Sequence, residues 1–455
     1  MKKSSLILLA LCAGAPLMAQ TPNVTFYGVL DAGVAHVQHS LDFSDQFPVS
    51  TNPFPQKSTN GATGMYNGGL SQNRVGVKVS TDLTDGWNAF LQLETAFNLT
   101  TGVVANATQS LAQNKASVNS TAANTNNGVQ VSAASAIGGQ LFDRGAFIGI
   151  SNATYGSLSI GRQQTLLFDV MPGYDGLSLA QLFTPLGFTG AYIGGGVTED
   201  SRVDNSLKYR VKAGDVTIAA LYKVGGVSGS TSAKSAENIS IAWEPGAFGI
   251  VGVYQTFKDA IGAASNNAAL GLINVTAQDT AMTTVAARYK GKGWMVAAGW
   301  EHVKFSNPSN PLTDAGITTF EGQIVGTVTT APYTIAGVGE VDKTQDLYYL
   351  SANFDVTSQF NVAAGYYINK VKDYSGVPVT AVLGAKNAGN NEYASLVLDY
   401  KWTKAFDFYF GYMHAMNTGG QAVGYLAGVT PVPATGPTSA ENVNQTYGLG
   451  MRYKF

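Results

Sequence analysis

The sequence predicts an all-β fold: a closed, antiparallel barrel of sixteen strands that span a membrane. Three observations lead there. Hydrophobic residues make up 45% of the 455-residue chain and charged ones only 12%, about half the charge of an ordinary soluble domain. Beyond the N-terminal segment no run reaches the roughly eighteen apolar residues of a spanning helix, which leaves a closed barrel as the structure that satisfies every backbone group in lipid. The chain also reads, segment after segment, as alternating apolar and polar positions, so mean hydropathy stays near neutral at +0.04. The 53 glycines, 22 tyrosines and 21 phenylalanines suit this class, because glycines relieve crowding in tilted strands and aromatics form girdles at the two interfaces.

The first element is not part of the barrel. Met1-Lys2-Lys3 is basic, "LILLALCAGAPL" is apolar but too short to span, and "LMA" before Gln20 reads as a cleavage site. Residues 1–19 are therefore expected to be a signal peptide and 20–455 the barrel domain. Cys12, the only cysteine, falls in the signal, so the remaining chain is expected to have neither disulfides nor thiolate metal sites. Loss of Lys2 and Lys3 takes the formal net charge from −2 to −4.

The strands follow in order. "VTFYGVLDAGVAHVQ" (24–38) opens, with Val24, Phe26, Gly28 and Leu30 outward and Tyr27 and Asp31 inward. "NRVGVKVS" (73–80) turns Val75, Val77 and Val79 outward and Arg74 and Lys78 inward; "TDLTDG" is a tight turn; "WNAFLQLETAF" (87–97) returns with Gln92 and Glu94 inward. Six further hairpins repeat the scheme: 143–151 with 157–163, 205–211 with 216–223, 237–243 with 250–257, 283–290 with 294–303, 346–354 with 360–368, and 393–402 with 407–414. The terminal "QTYGLGMRYKF" (445–455) is left to close against the first strand, giving sixteen. Its Tyr447, Leu449, Met451 and Tyr453 share the apolar face.

An even strand number with both termini on the short-turn side is the pattern of outer-membrane barrels, with short periplasmic turns and long outer loops. The long connections are 40–70, 99–140, 164–200, 259–280, 306–345, 371–391 and 416–443. A compact soluble domain rarely holds so many. A soluble solenoid would need a fixed period, and the chain shows none. A sandwich would put Phe406, Phe408, Phe410 and Tyr412 in water.

"VTFYGVLDAGV", "NRVGVKVSTDLTDGWNAFLQLE", "FDRGAFIGISNATYGSLSIGRQQT", "DNSLKY" and "GLGMRYKF" occur in order and at strand positions. In them the chain resembles the trimeric general porins of Gram-negative bacteria, most of all the β-proteobacterial and neisserial branch. The resemblance covers essentially the whole chain after the signal. It implies a sixteen-stranded barrel, three barrels about one axis, and a final strand whose Phe455, with Tyr453, is read by the barrel assembly machinery. Outer-membrane lipids and lipopolysaccharide would surround it.

Sixteen strands leave a water-filled lumen, whereas eight leave one filled by side chains. Such a lumen needs narrowing. The third long loop, about 164–200, carries Leu166, Leu167, Phe168, Leu177, Leu179, Leu182 and Phe183. A loop so apolar is expected to fold inward against the wall, as the family's third loop does. Selectivity is set by charge at such a constriction. By the resemblance, Arg74, Arg162 and Arg202 align with the family's basic wall cluster, and Lys78, Arg144, Lys208 and Arg210 lie near enough to widen it. Alternation alone sends Arg162 outward with Leu158 and Ile160. A charge in lipid is costly, so a bulge or strand end is expected to turn it inward. Asp169 and Asp175 on the loop are the expected acidic counterparts. Three positive charges against two negative, with Lys78 and Arg144 adding to the first, point to weak anion preference, opposed by Glu94, Asp31 and Asp204 on the lumen side.

Other function classes find little footing. The chain has no GxSxG, HExxH, P-loop or strand-borne GxGxxG. Its four histidines, His36, His39, His302 and His414, lie at outer strand ends or beside loops, and His36 and His39 point to opposite faces of a strand. The expectation is a non-enzymatic channel for ions and small hydrophilic solutes, without cofactor, metal or nucleic-acid partner. A solute-specific channel is the alternative. A barrel enzyme or an adhesin stands further off.

Overall fold

The structure, a computed structural model, describes residues 21–42, 57–102, 129–133, 141–187, 201–259, 261–265, 273–277, 279–306, 309, 319–320, 323–324, 328–330, 333–335, 343–372, 388–419 and 441–455. The signal-peptide expectation lies outside these residues.

The wall is built from β1 (Asn23–Asp42), β2 (Lys57–Asn67), β3 (Arg74–Asp82) and β4 (Trp87–Ala96). After β5 (Val129–Ala133), which belongs to an outer loop, come β6 (Gly145–Asn152), β7 (Gly156–Gln164), the short helix α1 (Leu166–Val170), β8 (Arg202–Ala213) and β9 (Val216–Lys223). Next are β10 (Ala236–Trp243) and β11 (Phe248–Phe257), the outer strands β12 (Ile261–Ser265) and β13 (Ile273–Ala277), then β14 (Asp279–Gly291) and β15 (Trp294–Ser306). Two small outer hairpins, β16–β17 (Thr319–Phe320, Gln323–Ile324) and β18–β19 (Val328–Thr330, Tyr333–Ile335), precede the last run. That run is β20 (Lys343–Asp355), β21 (Phe360–Val371), β22 (Gly389–Lys401), β23 (Phe406–Gly419) and β24 (Glu441–Lys454).

Seventeen strands join one antiparallel sheet, yet they fill sixteen places. β2 and β3 share one edge of β1, β3 pairing with Asn23–Val29 and β2 with Ala32–Asp42. The second strand of the barrel is thus a single strand interrupted at residues 68–73. The other edge of β1 pairs with β24, from Val29 opposite Lys454 to Asp42 opposite Glu441, and this closes the cylinder. Closure abolishes the unpaired edges that an open sheet exposes. Phe455 completes the seam: its N–H donates to the Gly28 carbonyl at 3.2 Å and its carbonyl accepts from the Gly28 N–H at 3.0 Å. A Cβ at Gly28 would lie 2.5 Å from the Phe455 ring, so glycine makes the room that the aromatic fills.

The expected alternation is what the wall shows. Phe26, Ile148, Ile160, Ile239, Ile241, Phe408, Phe410, Leu449 and Met451 stand exposed on the outside, where lipid rather than water meets them. Two expectations change. Residues 57–67, expected inside a long loop, form a strand: "KSTNGATGMYN" lacks alternation, and its extended form comes from the free upper edge of β1. The outer connections also contain a three-stranded sheet, in which β5 from the β4–β6 connection pairs with β12 from the β11–β14 connection.

Candidate pore constriction

The third outer loop starts where β7 ends, and its neck is tied by the Thr165 N–H donating to the Ser201 carbonyl at 3.0 Å. It folds into the barrel. α1 is fixed first: the Leu167 N–H donates to Gln255 Oε1 on β11 at 2.9 Å, while Asp169 accepts from Lys208 at 2.8 Å and Arg210 at 2.9 Å, both on β8. The chain then runs along the far wall. The Tyr349 hydroxyl donates to the Tyr174 carbonyl at 2.9 Å, and the Arg288 guanidinium sits 4.4 Å over the Tyr174 ring. The Gly176 N–H donates to Ser351 Oγ at 2.8 Å. Further on, Phe183 occupies a slot over Gly411 and Gly448, where a Cβ on either would come within 2.3 Å or 2.8 Å of its ring, and it meets Tyr409 edge-on at 6.4 Å. The Leu182 N–H donates to the Gly69 carbonyl at 2.9 Å, so the loop also rests on the break between β2 and β3.

Packing explains this path. Leu166, Leu167, Met171, Leu177, Leu179, Phe183 and Leu186 are all buried against wall residues such as Val251, Val253, Met282, Leu347 and Met413. Each such side chain contributes about 1.5–3 kcal/mol over an exposed position. An outward loop would leave that surface in water.

A basic arc runs over β3 to β8 and meets the start of the loop at Arg202. Arg144 donates to Glu94 at 2.5 Å and also bonds Gln72 Oε1, while Arg74 stands 3.9 Å from the same Glu94. The Tyr27 hydroxyl donates to the other oxygen of Glu94 at 2.7 Å. Arg162 donates from Nε to the Asp143 carbonyl at 2.6 Å and pairs with Asp204. Arg202 is 3% exposed, lies 5.0 Å over the Phe168 ring, and bonds Ser201 Oγ through Nη1, while its Nε and Nη2 have no hydrogen-bond partner among the described residues. Four guanidinium groups thus share the arc with three carboxylates: Glu94 and Asp204 pair with arginines, and Asp143 accepts from the Ala96 N–H at 2.7 Å.

Arg162 reaches the lumen by the route its cost in lipid demands. The β7–β8 register shifts between Gly161 and Gln163, and Asn205 opposite takes a φ of 51°. Gly161 has φ 138°, a region other residues avoid, and a Cβ there would lie 2.2 Å from the Ala146 carbonyl oxygen. Arg162 and Gln163 are consecutive and both buried, which strict alternation forbids and a bulge produces.

The loop acids depart from expectation. Asp169 faces Lys208 and Arg210 rather than Arg74, Arg162 or Arg202, so these two basic residues anchor α1 instead of widening an open positive stripe. Asp175 is 0% exposed and turned away from the pore: it accepts from the Tyr367 hydroxyl at 2.7 Å and the Leu179 N–H at 2.9 Å. Burial pushes its carboxyl up from the ordinary range, against the pull of those donors. Asp31 is likewise 0% exposed and does not face the open lumen. Lys78 does point inward, 4.9 Å over the Tyr27 ring. Asp143 and Gln72 were missed; the only sequence signal for Asp143 was its place beside Arg144 in "FDRG".

A closed sixteen-stranded barrel narrowed by an inward loop against a charged wall defines a membrane channel architecture. The family model for Gram-negative porins matches residues 5–420, and the chain belongs to that family. It is 28% identical over 211 residues to an outer membrane porin protein of Bordetella pertussis (strain Tohama I); the match spans 46% of this chain and 44% of that relative, less than half its length. In fold it is similar to an anion-selective porin from Comamonas acidovorans, with TM-score 0.57, 16% identity and coverage of 96% of this chain and 100% of that one. It is also similar to the in-vitro folded OmpT of Vibrio cholerae, with TM-score 0.54, 15% identity and coverage of 96% and 99%. A trimer form of that OmpT is among the similar structures, at TM-score 0.50 and 14% identity, covering 95% of this chain and 99% of that one. Family and barrel together place the protein in the Gram-negative outer membrane.

Proposed function

We propose that the protein is a passive outer-membrane channel for ions and small hydrophilic solutes, and that it prefers anions. The channel reading rests on the family and on the sixteen-place barrel, which is wide enough for an aqueous lumen. The anion preference rests on one observation: both carboxylates of the described loop are withdrawn, Asp169 into ion pairs and Asp175 into the wall, while four arginines share the basic arc with three acids. Charges at a narrow point act over short distances, and salt screens the net negative remainder beyond about 8 Å. Catalysis forms no part of this reading. Planar-bilayer recording is expected to give ohmic steps and, in a KCl gradient, a zero-current potential on the anion side. A cation-side potential overturns the preference, and an absence of channels overturns the function.

The working unit in this reading is a homotrimer in lipid and lipopolysaccharide, inserted by the barrel assembly machinery through Phe455 and Tyr453. The trimer form of Vibrio cholerae OmpT supports it by analogy of fold. Deleting Phe455 removes its two backbone bonds to Gly28 and is expected to lower the yield of heat-resistant trimers in the outer membrane. An unchanged yield would remove the assembly role.

A further inference from the structure

The interruption at residues 68–73 is organised around one buried carboxylate. Asp31 Oδ1 accepts from the Gly69 N–H at 3.1 Å, and Oδ2 accepts from the N–H groups of Leu70 at 2.9 Å and Ser71 at 2.7 Å. The Tyr409 hydroxyl from β23 completes the set, and Tyr66 donates to Tyr409 at 2.9 Å. The backbone of the same residue is held too, because its carbonyl accepts from the Gly68 N–H at 2.8 Å and from Asn73 Nδ2 at 2.8 Å. Four donors converging on two oxygens are what an ionised carboxylate accepts and what a neutral amide, with donors of its own, does not. No cation is bonded to this carboxylate among the described residues, so its charge is spent on shaping the chain.

What the shaped segment carries is the constriction. The Gly69 carbonyl receives the Leu182 N–H, a backbone tie between the third loop and the wall. The Gln72 carbonyl receives Arg74 Nη1 at 3.1 Å, and Gln72 Oε1 receives Arg144 Nη1. One side of the pore and two arginines of the other therefore hang on six residues folded around Asp31.

We infer that Asp31 is a positioning residue for ion selectivity: through the 68–73 segment it holds Arg74 and Arg144 at the pore and docks the tip of the third loop. The inference rests on the anion-preferring channel reading. Its distinctive consequence is a sign. Simple removal of a negative charge from a lumen raises anion preference. Loss of a positioning residue lowers it, because the arginines are no longer held where field lines crowd.

The test is Asp31→Asn in the full chain, reconstituted in planar bilayers, alone and combined with Arg144→Ser. The chloride-to-potassium permeability ratio is expected to fall about twofold in Asp31→Asn. Arg144→Ser is expected to change the ratio in the wild-type background and hardly at all in the Asp31→Asn background. A rise in the ratio on Asp31→Asn, or additive effects in the cycle, overturns the inference. The cycle reads coupling whichever ion the wild type prefers, so a cation-preferring wild type would sink the anion reading alone. If Asp31→Asn fails to assemble, Gln72→Ala removes only the outer link to Arg144 and is expected to lower the ratio in the same direction. An unchanged ratio in Gln72→Ala overturns the inference as well.

Discussion

Replacing Arg74 and Arg202 together by serine is expected to move the zero-current potential in a KCl gradient from the anion side toward the cation side. The arc then holds Arg144, Arg162 and the inward Lys78 against Glu94, Asp143 and Asp204, and the local positive excess is gone. These two are the informative pair. Arg202 has no carboxylate hydrogen-bonded to it among the described residues, and Arg74 shares Glu94 with Arg144, which stays. Neither change takes away the only arginine of an ion-paired acid, whereas Arg162→Ser would remove the arginine paired with Asp204. A unit charge ~8 Å from an ion is worth ~2 kcal/mol at an effective dielectric of ~20. After screening by salt, that leaves a severalfold change in permeability ratio per charge. A double variant with an unmoved potential would mean that selectivity is set elsewhere.

Phe183→Ala is expected to release the loop tip. The ring is fully buried in the slot over Gly411 and Gly448, and emptying a buried aromatic site costs about 3–5 kcal/mol. The barrel ladders do not depend on this residue, so the loss falls on the loop. Single-channel conductance is expected to rise and its noise to increase. A chemical readout accompanies this one. Leu182 bonds to the peptide that joins Gly69 to Leu70, so cysteines at Leu70 and Leu182 test that contact, since a disulfide needs Cα atoms within roughly 7 Å. They are expected to crosslink on oxidation in the otherwise native protein and to do so poorly with Phe183→Ala. Cysteines at Asp175 and Arg74 are expected not to link, because Asp175 faces β21. Efficient linking of that second pair would refute the described path of the loop.

The wall was legible because its rule is local. Ile148 and Ile150, Leu158 and Ile160, Leu449 and Met451 declare their face by parity, and lipid enforces it. Even the exception was legible: Arg162 breaks parity, and the cost of a charge in hydrocarbon demanded the bulge that Gly161 provides. β2 was not, since its polar, glycine-rich residues take extended form only because β1 overshoots β3. The loop acids were misread for a related reason. Asp175 finds Tyr367 at a separation of 192 residues, and nothing near it in the chain marks that meeting. The part played by Gln72 and Asp31 was hidden likewise, because a residue that acts by holding backbone leaves no charge pattern to read.

The one-sided course of the third loop has a consequence for solutes that carry no net charge. The loop lines the wall from β8 round to β24 and leaves Pro172 and Ser178 exposed, while Arg74, Arg144 and Arg162 stand on β3 to β7, away from that course. A field thus runs across the passage as well as along it. A zwitterion or a dipolar sugar entering there is turned as it passes, its electronegative end toward the arginines and its less polar side toward the loop. Such alignment costs rotational freedom and repays it in attraction, by amounts that differ between isomers of equal size. Two molecules of the same bulk and charge, distinguished only by where their dipoles point, would cross this barrel at different speeds.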